Sequence, residues 1–437
     1  MNKLFLPLLL LVVALLVSCS PEMVPTPFTE SSTPTIPLSP AATLEPVATL
    51  PSQPMPSLTP TLVKPAATNT ATRPPEFVFR YQSLDISPSL PVNVPLTGAL
   101  VILDDPHYIL NLEQGSKQEL PEKTLCFSTS PDGQWLAYCQ YEEEVLIIQS
   151  ANGQEVITLP VGEDWWLSGS AWLDNQRLVF NLFWKDETEI KSIRPVVVVN
   201  PFTGETLELA SDYPDLKPRI TGAGGGTMHF NYSTVVYHPS LNNLVIYPKT
   251  TADGAFVTLW DRQAEEVLAS VRDLGEFGRL PLWTPDGSEF VVAVIHQGGK
   301  ATDEFRAFIE EWFSVTSAGE IQQLTHFGNF FDHVEIYNAK WAPDGQRLAF
   351  WLRTIPSECG EGQYLAVLER ETSQVTNYCI FGSIYDAHPP VWSLDGKYIA
   401  VGSNDGIIRQ VILVSIEEGW AAQISEDVTP VGWLVSP

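Results

Sequence analysis

The sequence predicts an all-β protein, a seven-bladed β-propeller closed by pairing of its C-terminal strand with its N-terminal blade. Three observations predict it. A short turn motif, an aromatic residue and then Pro-Asp-Gly ahead of an apolar run, recurs along the chain. A second apolar hairpin follows each copy. The two ends of the chain each carry part of one further repeat.

The clearest copy is Trp341-Ala342-Pro343-Asp344-Gly345, followed by Leu348-Ala349-Phe350. Pro343 presets φ for the first corner of a turn, Asp344 can bond the local backbone, and Gly345 can take the positive φ that closes it. Trp283-Thr284-Pro285-Asp286-Gly287, Trp392-Ser393-Leu394-Asp395-Gly396 and Ser130-Pro131-Asp132-Gly133 repeat the pattern. Two copies are worn. Trp172-Leu173-Asp174-Asn175 is one residue shorter, with Asn in place of Gly. Tyr237-His238-Pro239-Ser240-Leu241-Asn242 keeps only the aromatic and the Pro. The second hairpins show as apolar runs around Asn152-Gly153, Thr203-Gly204 and Glu418-Gly419. Two hairpins per repeat make a four-stranded antiparallel unit, the size of a propeller blade.

Six copies start near positions 127, 172, 237, 283, 341 and 392. A seventh is split. Residues 102–120 supply two apolar runs around Gln114-Gly115, and Pro430-Val431-Gly432-Trp433-Leu434 reads as an innermost strand with nothing after it. Joining them removes exposed sheet edges, which an open six-blade array would leave. The five anchor tryptophans, Trp172, Trp283, Trp341, Trp392 and Trp433, are assigned to packing between blades.

The Trp-Ser-Pro-Asp-Gly-x-x-Ile-Ala-Phe pattern resembles the WD40-like repeats of TolB-type propellers, over about 98–437. The Gly-His and Trp-Asp pair of true WD40 repeats is absent apart from Trp260-Asp261. The resemblance implies the fold. Such propellers serve as scaffolds, receptors and, less often, enzymes, so it leaves the ligand open.

Residues 1–18 read as a secretion signal, with Lys3 ahead of an apolar run too short to span a bilayer comfortably. Leu16-Val17-Ser18-Cys19 resembles the bacterial lipobox, which implies cleavage before Cys19 and acylation of its sulfur and amino group. The alternative is an ordinary signal peptide with an incidental Cys. Residues 19–76, rich in Pro and Thr, read as a disordered, extended linker. A lead-in follows over 77–97, and the propeller fills 98–437. The expected setting is extracytoplasmic, lipid-anchored at a cell membrane, periplasmic or at the cell surface, as a monomer.

Lys plus Arg number 24 against 52 Asp plus Glu, a formal charge of −28. Nucleic-acid binding needs basic surface to displace counterions, so that class is excluded. Of the remaining cysteines, Cys126 and Cys139 flank the first Pro-Asp-Gly turn. They bond if the turn is centred between them and face apart if Gly133 forms a bulge; the bond is preferred here. Cys359 and Cys379 would staple one blade. Four unbonded thiols are the alternative.

In a propeller the Pro-Asp-Gly turns share one face, and binding loops gather on the other. The blade-to-blade loops carry Trp165, Trp166, His229, Tyr232, Phe330, Phe331, Asp332, His333, Tyr385, Asp386 and His388. Exposed aromatics beside carboxylates suit a sugar, a peptide or a protein anchor residue. The competing reading packs each of them between blades. Certain lyases with related propellers bind a divalent metal through His residues. Here the His offsets are unequal and no His-Glu-x-x-His occurs, so neither metal nor cofactor is expected. The glycine run 222–226 lacks the Lys and the strand-to-helix setting of a phosphate loop, and no Gly-x-Ser-x-Gly elbow is present.

The function expected is therefore non-catalytic binding or scaffolding of an envelope or extracellular protein or glycan. A metal-dependent polysaccharide lyase or hydrolase at the channel mouth is the alternative. A structural part in an envelope complex like the Tol system is a third.

Overall fold

The computed structural model describes residues 77–436 except 93, 141, 161–164, 185–195, 210–235, 242, 252–253, 275–279, 299–306, 383–387, 405–408 and 427–428. The signal, Cys19 and the linker lie outside the described residues. The regular structure of the described residues is almost wholly β, in antiparallel units of four strands; a parallel bridge between Ile309 and Val334 runs the fifth and sixth units into one sheet.

Two short lead-in strands come first, β1 (Val78–Tyr81) and β2 (Ile86–Ser87). The first unit holds β3 (Ala99–Leu103), β4 (Tyr108–Asn111) and β5 (Lys117–Glu119). The second holds β6 (Thr124–Thr129), β7 (Trp135–Gln140), β8 (Val145–Ser150) and β9 (Val156–Pro160). The third runs through β10 (Trp165–Trp172), β11 (Leu178–Trp184), β12 (Val196–Asn200) and β13 (Glu205–Leu209). The fourth runs through β14 (Val236–Tyr237), β15 (Leu244–Thr251), β16 (Gly254–Asp261) and β17 (Glu266–Asp273). The fifth contains β18 (Leu282–Trp283), β19 (Glu289–Gly298), β20 (Phe308–Thr316) and β21 (Ile321–Gln323). The sixth contains β22 (His333–Trp341), β23 (Arg347–Ile355), β24 (Tyr364–Glu369) and β25 (Gln374–Phe381). The seventh is β26 (Val391–Trp392), β27 (Tyr398–Asn404), β28 (Arg409–Ser415) and β29 (Trp420–Ser425). The last strand, β30 (Thr429–Leu434), pairs antiparallel with β3 and gives the first unit its fourth strand.

The middle strands are buried on both faces, which is why they read as unbroken apolar runs rather than alternating ones. In β23, Leu348, Phe350 and Leu352 pack toward the fifth unit, while Ala349 and Trp351 pack toward the seventh. In β28, Val411 and Leu413 meet Leu100 and Ile102 of the first unit, while Ile412 and Val414 face the sixth. The same interlocking joins units one and two through Val101 and Leu136, and two and three through Leu146 and Leu178. Val198 and Val245 join three and four, and Leu259 and Val292 join four and five.

Four of the five anchor tryptophans also carry a hydrogen bond; the buried indole N–H of Trp283 has none among the described residues. The indole N–H of Trp172 donates to Ser128 O at 3.3 Å, that of Trp341 to Leu282 O at 3.4 Å, and that of Trp392 to Lys340 O at 3.0 Å. Each acceptor lies on the first strand of the preceding unit, so the repeated Trp packs and bonds across one seam. Trp433 instead donates to Thr97 O at 3.1 Å, just ahead of β3.

The turn chemistry includes a residue that the motif made easy to overlook. In the second unit Ser130 Oγ donates to Asp132 Oδ1 at 2.6 Å and accepts the Trp135 N–H at 3.0 Å. Thr284 with Asp286 and Ser393 with Asp395 repeat this pairing. Gly133, Gly287, Gly345 and Gly396 close these turns at φ of 68–71°.

The lead-in packs on the outer edges, β1 parallel to β25 and β2 parallel to β29. Cys359 and Cys379 are disulfide-bonded, tying the β23–β24 loop to β25. The bond expected between Cys126 and Cys139 is absent, and both remain thiols. Leu125, not Cys126, pairs with Cys139, and the register slips between Leu125 and Ser128. The bulge sits at Cys126 itself, with φ of 60°, rather than in the turn.

Candidate binding rim

The predicted cluster at Phe330-Phe331-Asp332-His333 lies where the chain passes from the fifth unit to the sixth. A single 3-10 turn, Phe327–Asn329, precedes it. Its support is Glu311, in the middle of the apolar strand β20 and only 2% exposed. Glu311 Oε2 accepts from Thr325 Oγ1 at 2.7 Å and the Phe327 N–H at 3.0 Å, and Oε1 accepts the Gly328 N–H at 3.0 Å. A buried carboxylate held by three donors fixes the turn, because a charge without such partners would be costly to bury.

That turn sorts the predicted residues. Phe330 stands 50% exposed, while Phe331 and His333 are buried at 8% and 1%. For Phe331 and His333 the competing reading, packing between units, is the one the structure shows. Phe331 packs against Phe79 of the lead-in with ring centroids 5.0 Å apart, and it belongs to the core between units five and six. His333 is enclosed by the Phe308 ring at 4.7 Å. Its Nδ1 accepts the Phe308 N–H at 3.2 Å, which puts the ring proton on Nε2, 3.4 Å from Glu335 Oε1. Asp332 is half-buried, and its N–H donates to Ile355 O at 2.7 Å, bringing Ile355, 42% exposed, beside the turn. Phe77 lies edge-on to Phe327 and Phe330, so the lead-in braces the rim from outside.

Next to these residues lies an ionic group that no sequence motif marks. Glu335 Oε2 accepts from Tyr337 Oη at 2.6 Å and from Arg353 at 3.1 Å. Burial pushes the Glu335 carboxyl up, but hydrogen bonds from His333 and Tyr337 and the Arg353 charge outweigh it, holding the carboxyl down at about 2. A depressed carboxyl stabilises the fold above its ordinary value of 4.5 and loses that contribution as pH falls toward 2. Glu335→Gln is expected to lower stability by about 2 kcal/mol at neutral pH and to flatten the acid limb between pH 4.5 and 2. Denaturant melts across that range check it; an unchanged acid limb would refute it.

Of the other predicted residues, Trp165, Trp166 and His388 are described and belong to other segments. Trp165 and Trp166 are not loop residues but belong to β10, pairing with Trp184 and Phe183 across the ladder. His388 is exposed, and its carbonyl accepts the Trp351 indole N–H at 2.8 Å. His229, Tyr232, Tyr385, Asp386 and the glycine run lie outside the described residues. Among the described residues, no group of three or more His, Cys, Asp or Glu side chains is placed to hold a metal ion, and no helix is long and apolar enough to cross a membrane. What the rim offers chemically is two exposed apolar side chains, Phe330 and Ile355, and the carboxylate–guanidinium pair of Glu335 and Arg353.

No protein-family model and no curated protein matches the sequence. Solved structures do resemble the fold. TolB from Acinetobacter baumannii is 12% identical over 83% of this chain and 98% of its own, with a TM-score of 0.41. The β-propeller domain of Cps50 (Swd1) from Myceliophteria thermophila is 11% identical over 74% of this chain and 98% of its own, at 0.45. Oligogalacturonate lyase from Vibrio parahaemolyticus is 15% identical over 79% of this chain and 92% of its own, at 0.48.

Proposed function

We propose that the chain is a lipid-anchored, extracytoplasmic binding module. Its units form the blades of a seven-bladed ring closed by β30, and it holds a protein or glycan at the rim of blade 6 without acting on it chemically. The chain of seam cores, each joining one unit to the next and the seventh to the first, supports the ring. The lipobox-like Leu16-Val17-Ser18-Cys19 and the linker behind it support the anchor. Phe330 carries the binding reading. A half-exposed aromatic has been fixed in place by a buried, fully bonded carboxylate, and a rigid aromatic anchor of that kind is what a binding hot spot requires.

His333 supports the non-catalytic side of the proposal, since it is buried, its Nδ1 accepts the Phe308 N–H and its Nε2 faces Glu335 at 3.4 Å. A lyase using it as a metal ligand or base would first have to break this arrangement. The double variant Phe330→Ser with Ile355→Ser tests the proposal on full-length protein. Retention on envelope extract and on a glycan array should fall at least about tenfold, the loss of one good anchor contact. The melting temperature should stay within a few degrees. Undiminished binding by the folded variant would remove the rim from consideration.

A further inference from the structure

The worn turn of the fourth unit contains a substitution with a chemical consequence. In the regular turns, a hydroxyl residue ahead of the Pro position works with an Asp two residues later. The fourth unit has His238 at the hydroxyl position and Ser240 where Asp would stand. The Asp of the regular turns accepts the N–H two residues after itself; the His side chain caps the turn at different amides. Its Nδ1 accepts the backbone N–H groups of Ser240 and Leu241, both at 2.9 Å. Nδ1 is thus an acceptor and the proton is on Nε2, which donates to Gly287 O of the fifth unit's turn at 2.8 Å. The ring is 3% exposed and lies 4.5 Å from the Trp283 ring. It sits so close to Gly287 that a Cβ there would fall 2.5 Å from its Cε1.

We propose that His238 is an acid-sensitive latch: as neutral imidazole it ties the turns of the fourth and fifth units together, and its protonation releases them. The imidazolium has no acceptor. A proton on Nδ1 would point at two N–H groups that already converge on it, so the turn must open or the ring must leave. The Asp that caps the regular turns keeps its acceptor down to far lower pH.

The surroundings determine where the latch acts. Burial resists protonation most, as does the charge of Arg177 from the third unit, which is bonded to Pro239 O and to Asp174. The Gly287 carbonyl and the charge of Asp286 favour it. The net effect puts the group below the usual histidine value of 6.5. The unfolded or released form therefore binds the proton more readily, and the latch is complete above pH 6.5 and weakens as pH falls below it. A protein exposed to an unbuffered exterior meets that range. The inference holds whether or not the rim of the sixth unit binds a partner.

Hydrogen exchange read by mass spectrometry on the full chain tests it. After correction for intrinsic exchange rates, the amides of Ser240 and Leu241 should lose at least about tenfold protection between pH 7.5 and 5. The core amides of β23 should not. A variant restoring the ordinary turn, His238→Ser with Ser240→Asp, should fold and hold its protection across the same range. Equal protection of Ser240 and Leu241 at both pH values would overturn the latch. So would a restored variant with the same acid sensitivity, which would assign the effect to other groups. If that variant fails to fold, His238→Gln, which keeps an acceptor and does not titrate, gives the same comparison.

Discussion

Trp433→Ala is expected to lower the stability of the protein by about 3–5 kcal/mol, the usual cost of removing a buried Trp. The side chain is 3% exposed and sits among Leu100, Ile102, Tyr398 and Leu413, in the core that joins the seventh unit to the first. Its indole N–H is satisfied by Thr97 O, so truncation also leaves that carbonyl without its donor. The backbone beside Trp433 is tightly packed. Gly432 lies against Thr129 and Gly98 against Leu434 O, where an added Cβ would fall 2.3 and 2.4 Å from its neighbours. Urea melts measure the loss, and a changed m-value would show that the closing strand has detached rather than merely loosened. A loss below about 1 kcal/mol would mean that the seam does not depend on this residue.

Glu311→Ala is expected to be comparably severe, about 3 kcal/mol or more, because three donors lose one acceptor inside a dry core. The damage should be local as well as global. The 3-10 turn at Phe327–Asn329 has no side-chain cap of its own, so its amides should exchange faster. Phe330 would lose its fixed position, so binding at the rim should weaken even where the rest of the fold survives. Glu311→Gln keeps one acceptor oxygen and should lie between the two. A Glu311→Ala protein with wild-type stability and exchange at Phe327 and Gly328 would contradict the account of how the rim is held.

Much of the architecture was legible because repetition is a local signal. Pro343-Asp344-Gly345 carries its turn geometry in the residues themselves, and five tryptophans at one repeat position can be read as packing without coordinates. The bulge at Cys126 was not legible. It arises within β6 and has no glycine to announce it, so the symmetric spacing of Cys126 and Cys139 pointed to a bond that does not form. At the rim, sequence could not separate Phe330, which is exposed, from Phe331 and His333, which are buried. That sorting depends on Phe77 and Phe79, some 250 residues away in the chain. One clue was readable in advance. Glu310-Glu311 interrupts the apolar strand β20, and a carboxylate in such a place must have partners. Glu335 and Arg353 gave no comparable sign, since charged residues on a strand are ordinary until the partner across the ladder is known.

Covalent trapping of the last strand on the first tests the central claim most directly. Leu103 and Thr429 face each other at the end of the β3–β30 ladder. With Cys126 and Cys139 replaced by Ser, Leu103→Cys with Thr429→Cys should oxidise to an intramolecular disulfide in folded protein and resist it in urea. Cysteines that remain separately alkylated in the folded state would show that the C-terminal strand does not complete the first unit.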